Sequence, residues 1–149
     1  MSYSKQTGAI HAPVLCIGKR RFSMSRAQTP IIYSCSGCSN VAQLANTLAV
    51  RLDRAGLAEM SCIAGVGGDV KALVKKAQSP RPIIVIDGCH LHCAKACLSR
   101  HDVEADVHVT LSDYGLRKRY GEDCSAEEAD QLFDEFSAII ASDRLNQKI

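Results

Sequence analysis

Ile83-Ile84-Val85-Ile86-Asp87-Gly88-Cys89 is the stretch on which the fold turns. Four β-branched apolar residues in succession, preceded by Pro80 and Pro82 and stopped by Asp-Gly, read as a strand with no polar side. A strand without alternation is buried on both faces, as in a parallel sheet covered by helices on each side. It also ends on a thiol.

Upstream the same arrangement recurs. The short apolar run Ile31-Ile32-Tyr33 leads into Cys35, and Val41, Leu44, Ala45, Leu48, Ala49 and Leu52 then repeat at helical spacing until Gly56. A second strand is expected around Cys62 and Ile63. It is followed by a Gly65-Val66-Gly67-Gly68 loop and a helix over Val70, Leu73, Val74 and Ala77 that Asp69 would cap. Positive φ is the expected reason for the glycines, since neither Gly-Lys-Ser/Thr nor the third glycine of a dinucleotide fingerprint is present.

Downstream of Cys89 a helix of about three turns is expected to run to roughly Arg100. Val107, Val109 and Leu111 alternate with His108 and Thr110, the pattern of a half-exposed edge strand. Ser125-x-x-Glu128 is a capping box opening a last helix with Leu132, Phe133, Phe136, Ile139 and Ile140 on its apolar face. Strand–helix alternation of this kind predicts an α/β fold: an open, mostly parallel, Rossmann-like or flavodoxin-like sheet of four main strands in the order 2-1-3-4, with helices on both faces. Ligands of such sheets bind outside the C-terminal strand ends, where the strand order reverses.

Composition limits the class. A chain of 149 residues with 46% apolar content suits a single domain, here expected over residues 29–149. No apolar run approaches the roughly 20 residues that span a bilayer, so no membrane role is expected. The N-terminus shows no apolar signal core, which makes the cytoplasm the expected compartment. Residues 1–28 hold five basic residues and no acid, while the rest holds 13 basic residues against all 16 acids. The basic run Lys19-Arg20-Arg21 is short and lacks interleaved aromatics, so residues 1–28 read as a solvated extension and nucleic acid is not the expected partner. Val14-Leu15-Cys16-Ile17 within it is the one candidate for an added strand.

The eight cysteines carry the chemistry. Disulfides are uncommon in the cytosol, where a cysteine-rich chain more often binds metal or performs thiol chemistry. Six cysteines follow or lie inside strand-like runs: Cys35 and Cys38, Cys62, then Cys89, Cys93 and Cys97. Cys35-x-x-Cys38 has the separation with which two thiolates grip a tetrahedral ion, and it precedes a helix whose N-terminus favours thiolate. On one helix, Cys89, Cys93 and Cys97 would share a face, with Cys97 a turn further from any ion held by the first two. The Cys35-x-x-Cys38 pair by itself suits redox chemistry as well as metal; if the cluster holds zinc, the expected ligands are Cys35, Cys38, Cys89 and Cys93, with Cys62 and Cys97 as alternates.

Buried packing is an equally good account of Cys97, because free cysteine is among the most buried residue types. Cys16 and Cys124 read as bystanders. His90 and His92 read as solvent-facing or supporting groups, and His11, His101 and His108 as surface residues. Asp87 can cap the next turn or orient a ligand. No Ser-His-Asp or paired-carboxylate arrangement stands out, so an enzymatic role is left open.

These residues resemble the DGC-domain family of cysteine-rich α/β proteins, named for the motif that is Asp87-Gly88-Cys89 here. The likeness covers residues 30–120. It includes Cys35-Ser36-Gly37-Cys38-Ser39-Asn40, Cys62-Ile63-Ala64-Gly65-Val66, and Cys89, Cys93 and Cys97. The resemblance implies zinc chelation by four cysteines and supplies no reaction or partner. Six thiols exceed the need of one tetrahedral ion, which keeps two other readings open. One is a redox or sulfur/metalloid-transfer enzyme, with a small thiol, metal or metalloid as ligand, in which Cys35 is the exposed nucleophile and Cys38 its resolving partner. The other is a thiolate-bound Fe–S cluster.

Overall fold

The computed structural model describes residues 29–141. The basic stretch 1–28, with Val14-Leu15-Cys16-Ile17, lies outside the described residues, as do residues 142–149.

Strand β3 (Ile83–Asp87) is buried at every position, as its unbroken apolar run requires. It pairs in parallel with β1 (Ile31–Ser34) on one side and β4 (Val107–Thr110) on the other. β1 in turn pairs in parallel with β2 (Glu59–Met60), so the four strands lie in the order β2-β1-β3-β4, as predicted. In register, Ile32 stands beside Ile84, and Val85 beside His108.

Helix α1 (Asn40–Arg54) buries Val41, Leu44, Ala45, Leu48, Ala49 and Leu52, the residues its periodicity marked. Its end is a Schellman turn: Gly56, at φ 73°, donates its N–H to the Asp53 carbonyl, and Leu57 donates to Leu52. Helix α5 (Ala126–Ala141) opens with the expected capping box. The Ser125 N–H donates to Glu128 Oε2 at 2.8 Å and the Glu128 N–H to Ser125 Oγ at 3.1 Å. Leu52 of α1 and Phe136 of α5 line one apolar space with Ile84, Ile86, Val107 and Val109, so these two helices cover one face. The other face is taken by α2 (Ile63–Gly67), α3 (Lys71–Ala77) and α4 (Cys93–Ser99).

Two local expectations are corrected. Strand β2 ends before Cys62, which instead caps α2, its Sγ accepting the Gly65 N–H at 3.4 Å. The expected glycine loop is therefore mostly helix, and positive φ falls on Asp69 (61°), with Val70 at the N-cap of α3. Gly65 and Gly67 serve close approach: a Cβ on Gly67 would stand 2.8 Å from Cys97 Sγ, and one on Gly65 would collide with the Leu73 side chain. The second correction is that α4 begins only at Cys93, so Cys89 lies in a turn before it. Asp87 reaches past that turn and accepts the N–H groups of Ala94 (2.9 Å) and Lys95 (3.2 Å). The helix is thus anchored on the last residue of β3, and His92, at φ 50°, makes the bend between them.

Candidate functional site

Each residue of Asp87-Gly88-Cys89 has a separate task at the C-terminal edge of the sheet. Asp87 is fully buried, and besides capping α4 its Oδ2 lies 3.1 Å from His108 Nε2. Gly88 lets β3 run against α1, since a Cβ there would be 2.7 Å from the Val41 carbonyl. That approach brings the Gly88 N–H onto Cys35 Sγ at 3.0 Å. Cys89 follows, half-buried, in the turn before α4.

Cys35 is itself buried directly beyond β1, its N–H bonded to the Ile86 carbonyl at 3.0 Å. Burial pushes its thiol up to about 11; the Gly88 hydrogen bond opposes this, and Asp87, Cys93 and Cys89 add to it. The loops beyond the parallel neighbours β1 and β3 thus carry Cys35 and Cys89 at the same edge of the sheet, with Cys93 opening α4. Cys38 stands three residues along the same loop, exposed, where Gln43 Nε2 donates to the Gly37 carbonyl. Cys35 is buried rather than exposed as expected, and Cys38 is the thiol of that pair that solvent reaches.

Cys62 and Cys97, the alternates, both meet helix α2. Cys62 caps α2 and Cys97 packs on Gly67 of the same helix. Cys124 is half-buried near Asn40 and Arg119, with burial pushing its thiol up. All seven described cysteines are free thiols. Among the described residues no three His, Cys, Asp or Glu side chains already converge as a metal-holding group.

Several functional neighbours were missed from sequence. His108 and His101, read as surface groups, are mostly covered: His101 Nε2 lies 2.9 Å from the Val66 carbonyl and 3.2 Å from Asp69. His92 Nε2 lies 3.2 Å from Thr110 Oγ1, and its ring meets that of His108 edge-on at 4.8 Å. Asn40 is buried and holds residues 117–119 against the Cys35–Cys38 loop. These pairs join residues 18 to 79 positions apart, and no local period announces them. The run Arg117-Lys118-Arg119 was the one available signal.

By donor chemistry the edge suits a soft cation. It offers sulfur ligands, one already accepting a backbone N–H. A bound zinc would supply a rigid cross-link between the loops after β1 and β3.

These features define a class: a parallel α/β protein with cysteines on the loops beyond its two inner strands. The DGC domain profile matches residues 31–136, and the chain belongs to that family. It is also similar to the anaerobic and virulence modulator AnvM of Pseudomonas aeruginosa, with 65% identity over 111 residues that cover 74% of this chain and 85% of that protein. No solved structure matches. Among the described residues no helix is long and apolar enough to cross a membrane.

Proposed function

We propose that the sheet edge is a zinc site formed by the thiolates of Cys35, Cys38, Cys89 and Cys93, and that the chain is a regulatory protein of the cytoplasm. The observation that carries this reading is the environment of Cys35: buried, bonded by the Gly88 N–H, and influenced by Cys89 and Cys93. A thiol raised to about 11 keeps its proton at neutral pH and is a poor nucleophile. A cation that displaces the proton reverses this, and the N–H bond and neighbouring sulfurs then favour the thiolate. Cys38 and Cys93 are exposed and free to turn inward on the ion. A closed site of four thiolates is structural and leaves no position open for catalysis. The name of the similar Pseudomonas protein, a modulator tied to anaerobic conditions, supports a regulatory role. Disulfides are rare in the cytosol, and a chain of free thiols suits that reducing compartment, which is the reason for the cytoplasm.

Protein purified without oxygen should carry about one zinc per chain and lose thermal stability on chelation. Cys35→Ser and Cys89→Ser should abolish metal content, while Cys62→Ser and Cys97→Ser should keep it. Metal-free protein of unchanged stability with a reversible Cys35–Cys38 disulfide would instead favour thiol redox, with Cys38 attacking. A brown protein would favour an Fe–S cluster.

A further inference from the structure

The two parts of this chain carry opposite charge. Residues 1–28 hold five basic residues and no acid, and the rest holds 13 basic residues against 16 acids. A cleft of about 410 Å³ opens at the N-terminal end of β3, the edge opposite the thiols. That volume lies within the roughly 300–1,000 Å³ of ligand clefts. Asp102, Glu104 and Asp106 line it, and all three are exposed. The basic residues of its wall are engaged: Arg81 donates to Glu59 at 2.6 Å, and His101 Nε2 lies 2.9 Å from the Val66 carbonyl.

The chain enters β1 along this same wall. Arg81 donates to the Thr29 carbonyl at 2.9 and 2.6 Å, and the Ile31 N–H donates to the carbonyl of Pro82, another lining residue, at 2.8 Å. Arg26 stands three residues before Thr29, so its backbone lies within about 11 Å of that residue. Lys19, Arg20 and Arg21 follow upstream, within about 36 Å. A segment tethered this closely has an effective concentration of about millimolar at the cleft, so ion pairs that are individually weak suffice to hold it.

We propose that residues 19–26 dock in this cleft of their own chain, with Arg26 meeting the carboxylates of Asp102 and Glu104. The basic extension is then a part of the domain surface rather than a solvated appendage. The inference is independent of the zinc reading, because the cleft and the thiols lie at opposite edges of the sheet.

The test is limited trypsin digestion of the reduced full-length chain, with cleavage after Lys19, Arg20 and Arg21 timed by mass spectrometry. A synthetic peptide of residues 15–28 corrects for the effect of salt on the protease. The parent should be cut about three- to tenfold more slowly at low salt than at about 1 M, where the screening length falls to about 3 Å. Asp102→Asn combined with Glu104→Gln should be cut at the fast rate at both salt concentrations. Asparagine suits the left-handed backbone that Asp102 adopts at φ 56°. Arg26→Glu should also be cut fast, and adding Glu104→Lys to it should restore part of the protection. Asp134→Asn combined with Glu135→Gln, which removes the same charge from exposed positions on α5, should behave as the parent does. Equal cleavage of the parent and the Asp102→Asn, Glu104→Gln protein at low salt would overturn the proposal, as would protection that salt leaves unchanged. Protection that grows with protein concentration would place the segment in the cleft of a second copy and overturn it as well.

Discussion

A methyl group at Gly88 would stand 2.7 Å from both the carbonyl carbon and the oxygen of Val41, and 2.9 Å from the Ala42 nitrogen. All three are backbone atoms of α1, which cannot step aside as a flexible side chain would. Gly88→Ala should therefore cost about 2–4 kcal/mol in urea unfolding. It should also expose Cys35 to alkylation, because the Gly88 N–H that meets its sulfur would be displaced. Asp87 carries a comparable constraint. Its buried carboxylate serves two amides of α4 and one imidazole, so Asp87→Asn puts an amide donor where donors already point. A loss of about 2–4 kcal/mol is expected, with hydrogen exchange in α4 accelerated first. A loss below half a kcal/mol would show that the capping role is overstated.

Helices α2 and α4 meet where Cys97 fills the space left by Gly67. Their contact needs one small and one medium residue, in either order, so the two positions should be coupled. Gly67→Ala alone should destabilise through its 2.8 Å clash with Cys97 Sγ, and Cys97→Ala alone through a small void. Together they should cost less than their sum by about 1 kcal/mol, read from a double-mutant cycle of unfolding free energies. Zinc stoichiometry should be unchanged in all three variants. Loss of metal in Cys97→Ala would return that cysteine to the ligand set.

Across the molecule, the edge opposite the thiols is held by charge. Glu59 accepts from Lys76 Nζ at 2.7 Å and from Arg81 at 2.6 Å, and Arg81 also donates to the Thr29 carbonyl. This joins α3 and β2 to the chain just before β1. The Lys76 hydrogen bond, assisted by Arg81 and opposed by burial, holds the Glu59 carboxyl below the usual carboxylate range. A pKa lower in the folded state adds stability that is fully present above the unfolded value of about 4.3 and is lost as pH falls through the folded value. Glu59→Gln should cost about 1–2 kcal/mol at pH 7 and flatten the decline of stability between pH 5 and pH 3. Equal acid sensitivity of the two proteins would mean that other carboxylates govern it.

The unbroken apolar run of β3, the helical period of α1, the capping box of α5 and the strand order were legible in the residues, because periodicity and connectivity are local properties of the chain. The placement of thiols beyond β1 and β3 followed from the same reading. The start of the helix expected downstream of Cys89 was not legible, since it depends on a carboxylate seven residues before Ala94. Nor were the burial of Cys35, the pairing of Asp87 with His108, or the clamp of Asn40 on residues 117–119. Those are decided by how closely α1 can approach Gly88 and by which distant loops the sheet twist brings into register. Sequence determined which chemistry collects at this edge; tertiary packing decided which of its thiols is buried and which is exposed.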